Sequence, residues 1–403
     1  MRILITDGNE RAALAVVRAL GRRGHELTVV SAERRSLAGR SRFTRSQHRV
    51  ASPLSDPGRF VEELAAVAAE RGTEVLVPIG EASALGVLGA RNRFAGVCVP
   101  FPSIDTYRAV CDKERVLAAA RKLGMAVPAQ HAAASRAELE AFARASLQYP
   151  LVAKPARSVA GAASDGLQKL RVRHVPDAAA LAEPASTLPD AAFPLLLQQR
   201  IVGPGTGIFL LRWDGALRAV FAHRRLREKP PSGGVSVYSE GVVADPELVE
   251  RSLRLLEAFD WQGVAMVEYK RDAATGVPYL MEINGRFWGS LQLAIDSGVD
   301  FPGLLLDCAL GRPPATPGEF RAGRRLRWFW GDTDHLLMRL SGDARSLALP
   351  PGAPGRARVL LDWLTAWRPR QRCEPWQADD PAPFLHESLE WFADVLRTRR
   401  QGS

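Results

Sequence analysis

Residues 263–286, GVAMVEYKRDAATGVPYLMEINGR, constrain this chain more than any other stretch: they read as two apolar strands, joined by a short turn, that carry acids within the strands. Alternation along the second strand puts Glu282 and Asn284 on one face. With the turn centred near Thr275, Glu268 falls opposite Glu282 on that face, Cβ atoms about 5 Å apart. Directly opposed like charges cost stability, so the pair calls for a compensating cation. Few protein groups, hard oxygen ligands and positions left open for phosphate oxygens describe how Mg²⁺ is held in phosphoryl-transfer sites. Glu268, Glu282 and Asn284 are therefore candidate Mg²⁺ ligands, with Mn²⁺ as the alternative ion. The competing reading is an edge strand with solvated acids. Arg286 would reach the same side and clamp a transferring phosphate or a substrate carboxylate, which makes it a candidate catalytic residue.

The hairpin sits late in a chain of 403 residues, long enough for two or three domains. Residues 1 to about 105 alternate strand and helix: MRILITDG, ERAALAVVRALGRRG with helical apolar spacing, HELTVVSAE, then EVLVPIG and GVCVP with helices near Phe60 to Arg71 and Ala82 to Ala90. That pattern predicts an α/β fold with a parallel sheet covered on both faces. No GxGxxG follows the first strand, so the dinucleotide fingerprint is missing. Glu81, just after VPIG, stands either as a functional group at a strand's carboxyl end or as a first-turn acid favoured by the helix dipole. A helix follows Ser103 and bears CDKERVLAAARKLG, then comes the strand YPLVAKPA, and residues 157–194 are poor in aromatics, as suits a small mobile subdomain. Strands LLLQQRIVG, FLLRW and LRAVFAHRRL come next, with a turn at Asp214-Gly215 and a helix from about Pro246 to Phe259. PPATPG reads as a linker, and the remaining residues are rich in Arg, Trp and Pro with helical stretches. Trp328, Trp330, Trp363, Trp367 and Trp376 are expected to pack as a helical cap.

Composition narrows the class. Hydrophobic residues make up 46% and charged residues 24%, and no apolar run reaches the roughly 18 residues a membrane helix needs. Met1 to Asp7 is a strand rather than a leader, and four scattered cysteines form no CxxC pair, so a reducing cytoplasm is expected. The formal charge of +10 invites a nucleic-acid reading, but only six of the 54 basic residues are lysines. An arginine bias of that kind reflects genome composition, no nucleic-acid partner is expected, and each lysine becomes informative.

The order Lys113 in DKERVL, Lys154 in LVAKP, the strand LLLQQRIVG, Glu268 and MEINGR resembles the ATP-grasp superfamily over residues 1 to about 313. The resemblance implies a Rossmann-like pre-ATP-grasp domain over 1–105, a two-subdomain ATP-grasp fold of α+β type over 106–313 with a lid at about 126–197, and a mostly helical extension over 314–403. It implies ATP and Mg²⁺ as cofactors, with Lys113 and Lys154 on the nucleotide phosphates, Gln198 or Gln199 reading the adenine edge and Ile201 packing on the ring. Two departures stand out: Gly205 occupies the place where many members carry a ribose-binding acid, and the phosphate-covering loop Ser158 to Gly166 offers only Gly161 and Gly166. The segment FAHRRLREKPPSGGVSV supplies His223, Arg224, Arg225, Arg227 and Lys229, and is similar to the cationic segment that some carboxylate-amine ligases place over the acyl phosphate. Arg225 and Arg227 are accordingly candidate catalytic residues and Lys229 a candidate nucleotide contact. The implied activity is an ATP-dependent ligase that turns a carboxylate into an acyl phosphate and couples it to an amine, an amino acid being one substrate. The alternatives are a carboxyphosphate-forming enzyme and a non-catalytic nucleotide-binding scaffold. A homodimer is the default assembly.

Overall fold

A computed structural model describes residues 1–401 apart from 145–146, 162–165, 182–187, 314–319, 351 and 368. Strands β1 (Arg2–Ile5), β2 (Glu26–Ser31), β3 (Thr44–Arg49) and β4 (Val75–Val77) form a parallel sheet in the order β3-β2-β1-β4. Alternation divides its apolar residues between two cores. Ile3, Ile5 and Val29 pack with helix α1 (Arg11–Arg22), while Leu4 and Val30 pack against helices α2 (Pro57–Glu70) and α3 (Glu81–Gly89). The expected strand GVCVP reduces to a single bridge between Val75 and Cys98. Asp7, held at φ 55°, ends β1 and accepts hydrogen bonds from Gly80 N (2.8 Å) and Ser83 Oγ (2.7 Å), tying β1 to the start of α3. A Cβ at Gly80 would stand 2.9 Å from Asp7 Oδ1, so the turn requires glycine there.

The helical pattern after Ser103 is broken at Asp112, whose extended backbone separates α4 (Ile104–Cys111) from α5 (Lys113–Lys122). Asp112 caps α5 by accepting from Arg115 N at 3.2 Å. Lys113 thereby becomes the first residue of a helix, with its own N–H bonded to Ala156 O at 2.9 Å. A second, antiparallel sheet joins β5 (Gln130–Ala133), β6 (Leu151–Pro155), β9 (Arg173–Val175) and β10 (Leu195–Gln199) in the order β5-β10-β6-β9; a short ribbon, β7 (Val159–Ala160) with β8 (Gln168–Lys169), lies beside it. Leu151, Ala153, Leu195 and Leu197 turn to a core built with Leu139 of α6 (Arg136–Arg144), so Val152, Lys154, Leu196 and Gln198 share the opposite face.

The third sheet has seven strands. β11 (Gly205–Trp213), β12 (Ala216–Lys229), β13 (Val235–Val242), β14 (Gly263–Arg271), β15 (Pro278–Asn284), β16 (Arg325–Trp328) and β17 (Gln371–Glu374) run in the order β15-β14-β11-β12-β13-β16-β17. Asp214 and Gly215 take φ of 48° and 72°, the pair of positive values that lets a two-residue turn follow the twist of β11 and β12. Helix α7 (Pro246–Glu257) covers one face, and α8 (Leu291–Asp296) with α9 (Phe301–Ala309) packs between the other face and the N-terminal sheet. The last region supplies helices α10 (Phe329–Ser341), α11 (Arg356–Leu364) and α12 (Ala382–Gln401), and also β16 and β17, which its sequence pattern does not announce. Periodicity misses them because they are four residues each and dense in arginine.

This region reaches back to the first helix. Arg18 meets Asp380 at 2.9 Å with both side chains fully buried, and Arg11 meets Glu374 at 2.7 Å. Asp380 also accepts from Ser41 Oγ and Arg42 N. The tryptophans divide: Trp330 stacks on Trp391 and Trp328 lies under the Arg11 guanidinium, whereas Trp367 and Trp376 remain exposed. Trp328 donates its indole N–H to Glu387 of α12 at 2.9 Å. Burial nevertheless pushes the Glu387 carboxyl up to about 7. Because this pKa lies above its unburied value, the stability Glu387 lends to docking of α12 is full below about 4.5 and is lost as pH rises through about 7. The loss should be on the order of 1–3 kcal/mol. Tryptophan fluorescence at pH 6 and pH 8 should therefore show α12 loosening in the native protein and not in Glu387→Gln; identical spectra for the native protein at both values would refute the coupling.

Candidate functional site

The hairpin of β14 and β15 pairs Glu268 directly with Glu282, with a register shift between Glu268 and Tyr269. Asn284 donates its amide to Glu282 Oε1 at 3.1 Å, and its carbonyl oxygen is approached by Arg286. The positive charge such a pair demands comes first from the protein itself. Arg225 of β12 places one guanidinium nitrogen 2.6 Å from Glu268 Oε2 and the other 2.8 Å from Glu228 Oε1, the second also reaching Gly234 O. Lys113 brings its ammonium 3.5 Å from Glu282 Oε2 and donates to Ser158 Oγ at 2.7 Å.

These neighbours split the two carboxyls. Burial works to raise Glu282, but Lys113 and Lys154 outweigh it and hold the group below its usual range. Glu268 moves the other way, since burial and the Glu282 charge exceed the pull of Arg225, which it shares with Glu228. Lys154 is lowered by burial against the attraction of Glu282 and Glu268. A half-buried lysine that faces acids could hold an anion such as a phosphate.

On the same face of the second sheet, Gln198 is buried and donates to Gln130 Oε1 at 3.0 Å, while its own Oε1 has no hydrogen-bond partner among the described residues. A spare buried acceptor matches the exocyclic amine of an adenine. Gln199 is exposed on the other face, and Ile201 is buried just beyond the strand. Of the two glutamines, the geometry brings only Gln198 to the site.

Gly205 acquires a reason. A Cβ there would lie 2.8 Å from Arg225 Cδ, so the glycine clears the path by which Arg225 crosses to Glu268. The loop after Ser158 has Gly161 at φ 142° and Gly166 at φ 79°, and its end rests on the N-terminal region through Leu167 N to Leu54 O; residues 162–165 lie outside the described residues. Arg286 donates to Phe287 O at 2.9 Å and approaches Asn284 Oδ1 at 3.4 Å. Glu81, at the start of α3, is drawn into the same cluster: burial raises its carboxyl while Arg286 and Lys113 oppose the rise, and Val159 N donates to it.

Two expected phosphate contacts are placed elsewhere. Arg227 grips Asp332 of α10 with a bidentate pair at 2.6 and 2.8 Å, and Asp332 also takes Arg327. Lys229 pairs with Asp334 and lies over the Trp328 ring at 5.6 Å. Their segment is also strand through Lys229 rather than a free loop. Both acids lie 105 residues downstream, which no local pattern around Arg227 could signal.

Among the described residues no group of three or more His, Cys, Asp or Glu gathers for a metal. The donor types of Glu268, Glu282 and Asn284 nevertheless fit a hard divalent cation that keeps most positions for water and phosphate oxygen: two opposed carboxylates and, next to them, an amide whose oxygen Arg286 approaches.

Comparison with known proteins agrees with this architecture. Residues 192–331 match the family described as ATP-grasp in the biosynthetic pathway with Ter operon. No curated protein matches the sequence. Among solved structures, the L-amino acid ligase from Bacillus licheniformis is similar with a TM-score of 0.59 and 18% identity, over 80% of this chain and 78% of that one. The ADP complex of the N5-carboxyaminoimidazole ribonucleotide synthetase purK is similar with a TM-score of 0.60 and 17% identity, over 85% and 86%. The biotin carboxylase domain of Hydrogenobacter thermophilus 2-oxoglutarate carboxylase, solved with MgADP, ADP and bicarbonate, gives a TM-score of 0.60 and 16% identity over 80% and 73%.

Gly205→Ala should lower stability by about 1–3 kcal/mol by pushing Arg225 off Glu268. Chemical denaturation of the single variant and of Gly205→Ala in an Arg225→Ala background checks this: the alanine should cost little once Arg225 is gone, and an equal cost in both backgrounds would show that the contact is not the cause.

Proposed function

We propose that this chain, a member of the ATP-grasp superfamily, is an ATP-dependent ligase that forms an acyl phosphate from a carboxylate and couples it to an amine, releasing ADP and phosphate. The observation that carries the reading is the in-register pair Glu268 and Glu282 facing Lys113 from helix α5 and Lys154 from the second sheet. Such a cluster has no use in a structural core, where opposed acids only destabilise. It suits a nucleotide triphosphate carried with a divalent cation.

In this reading the nucleotide lies between the cleft face of the second sheet and the β14–β15 hairpin. Gln198 Oε1 accepts from the adenine amine, and Ile201 packs on the ring. Lys154 and Lys113 neutralise phosphate charge from opposite sides, Ser158 keeping Lys113 in place. Glu268, Glu282 and Asn284 would hold Mg²⁺, which would supply charge neutralisation at the transferring phosphoryl group. Arg286, half-buried beside Asn284, orients the substrate carboxylate for in-line attack on the γ-phosphate. Arg225 stabilises the acid next to the reacting phosphate rather than the phosphate itself. Gly166 and Leu167 lie against Leu54 and Ser55, and closure of the lid subdomain would keep water from an intermediate that hydrolyses readily. No protein nucleophile is required.

A second reading, activation of bicarbonate as carboxyphosphate, is favoured by the equal likeness to carboxylating enzymes. The same assay separates the two. Mg²⁺-dependent release of ADP and phosphate from ATP would be followed across pooled amino acids, pooled small carboxylic acids and bicarbonate, with Glu282→Gln as control. An organic pool should stimulate release, and the control should lose at least about a hundredfold of it. Stimulation by bicarbonate alone would replace the first reading with the second; failure to bind ATP would overturn both.

A further inference from the structure

Far from the hairpin, the third sheet borders a cavity of about 330 Å³ lined by Arg321, Ala322, Arg324 and Arg370. This volume falls in the usual range for small-ligand sites. Its walls are fixed by backbone hydrogen bonds: Arg321 N to Ser297 O (3.0 Å), Gly323 N to Gly241 O (2.8 Å), Gly241 N to Arg324 O (2.9 Å) and Arg325 N to Arg370 O (3.2 Å). Three strands' ends, β13, β16 and β17, therefore hold the arginines at a set spacing.

The neighbouring arginines are paired. Arg325 bonds Glu240 at 3.0 Å, Arg327 bonds Asp332, and Arg372 lies 3.8 Å from Asp296. By contrast, the guanidinium groups of Arg321, Arg324 and Arg370 make no hydrogen bond or ion pair among the described residues, and Arg324 Nε is buried without a partner. Gln371, which follows Arg370 and opens β17, has a buried amide nitrogen that also lacks a partner, its oxygen accepting from Tyr238 Oη. Asp296 is an acid that Arg324 acts on; burial raises its carboxyl, with Arg372 and Arg324 opposing the rise. Three forked donors around one concavity, with donors left over and almost no negative charge, are complementary to an oxyanion of more than one charge. A phosphoryl group, whose oxygens match the guanidinium fork, fits best.

We propose that this cavity binds a small phosphorylated molecule through Arg321, Arg324 and Arg370. The site is separate from the candidate ligase centre: β16 stands four strands from β14, or roughly 19 Å across the sheet at about 4.8 Å per strand. It is independent of what reaction the hairpin performs.

Calorimetric titration with pyrophosphate, run with the nucleotide site saturated by MgADP, tests it on the full chain. Arg321→Gln with Arg370→Gln changes two exposed side chains that make no hydrogen bond or ion pair among the described residues, so the fold is retained. That double variant should bind pyrophosphate at least tenfold more weakly than the native protein while its MgADP affinity shifts less than twofold. Unchanged pyrophosphate binding would overturn the proposal, as would citrate binding as tightly as pyrophosphate, which would mark a general polyanion patch.

Discussion

Two carboxylates that face each other across a buried hairpin cannot both remain ionised unless positive charge is delivered to them. Here it is delivered along separate routes, from the first residue of α5, from the cleft face of β6 and from β12. Each route imposes a local condition. Lys113 reaches Glu282 only because Asp112 breaks the preceding helix and restarts it at the right place. Lys154 points inward only because its alternate neighbours belong to the small leucine core. Arg225 crosses to Glu268 only because Gly205 has no side chain. The charge requirement of one pair of residues thus explains a helix break, a strand phase and a glycine.

A chain of ion pairs continues outward from there. Arg225 joins Glu268 to Glu228, the backbone oxygen of Glu228 accepts from His335, and Arg227 beside it is locked to Asp332 and through it to Arg327. The C-terminal region is therefore wired to the site by charge as well as by the strands it adds to the sheet. An arginine-rich composition that suggests a sticky surface serves largely to bind segments of the chain to one another.

Much of this was legible from residue order. Alternation and turn chemistry placed Glu268 opposite Glu282 and Asn284 beside it, because strand register is set by local pattern. Lys154 and the pair Gln198 or Gln199 came instead from the resemblance to the ATP-grasp superfamily, and only the sheet shows that Gln199 faces away. What could not be read were partnerships across long separations. Arg227 and Lys229 looked free beside their own neighbours, yet Asp332 and Asp334 claim them. β16 and β17 gave no periodic signal, and their arginines look solvated until the strands are paired. Glu81 had two equal local readings, and only the approach of Arg286 and Lys113 separates them.

The pairing of Arg18 with Asp380 has a consequence in time. The two residues are 362 positions apart and both are fully buried. An unmatched buried charge costs about 3–5 kcal/mol, a large part of what holds any domain together. During synthesis at about 5–20 residues per second, the first helix waits roughly 20–70 s for its counter-ion to leave the ribosome. Until then the N-terminal sheet can form its hydrogen bonds, but α1 must keep Arg18 in water and cannot seat fully. The segment around Asp380 therefore completes the seating of the first helix, and α1 docked without it carries an unmatched buried charge at a cost of about 3–5 kcal/mol.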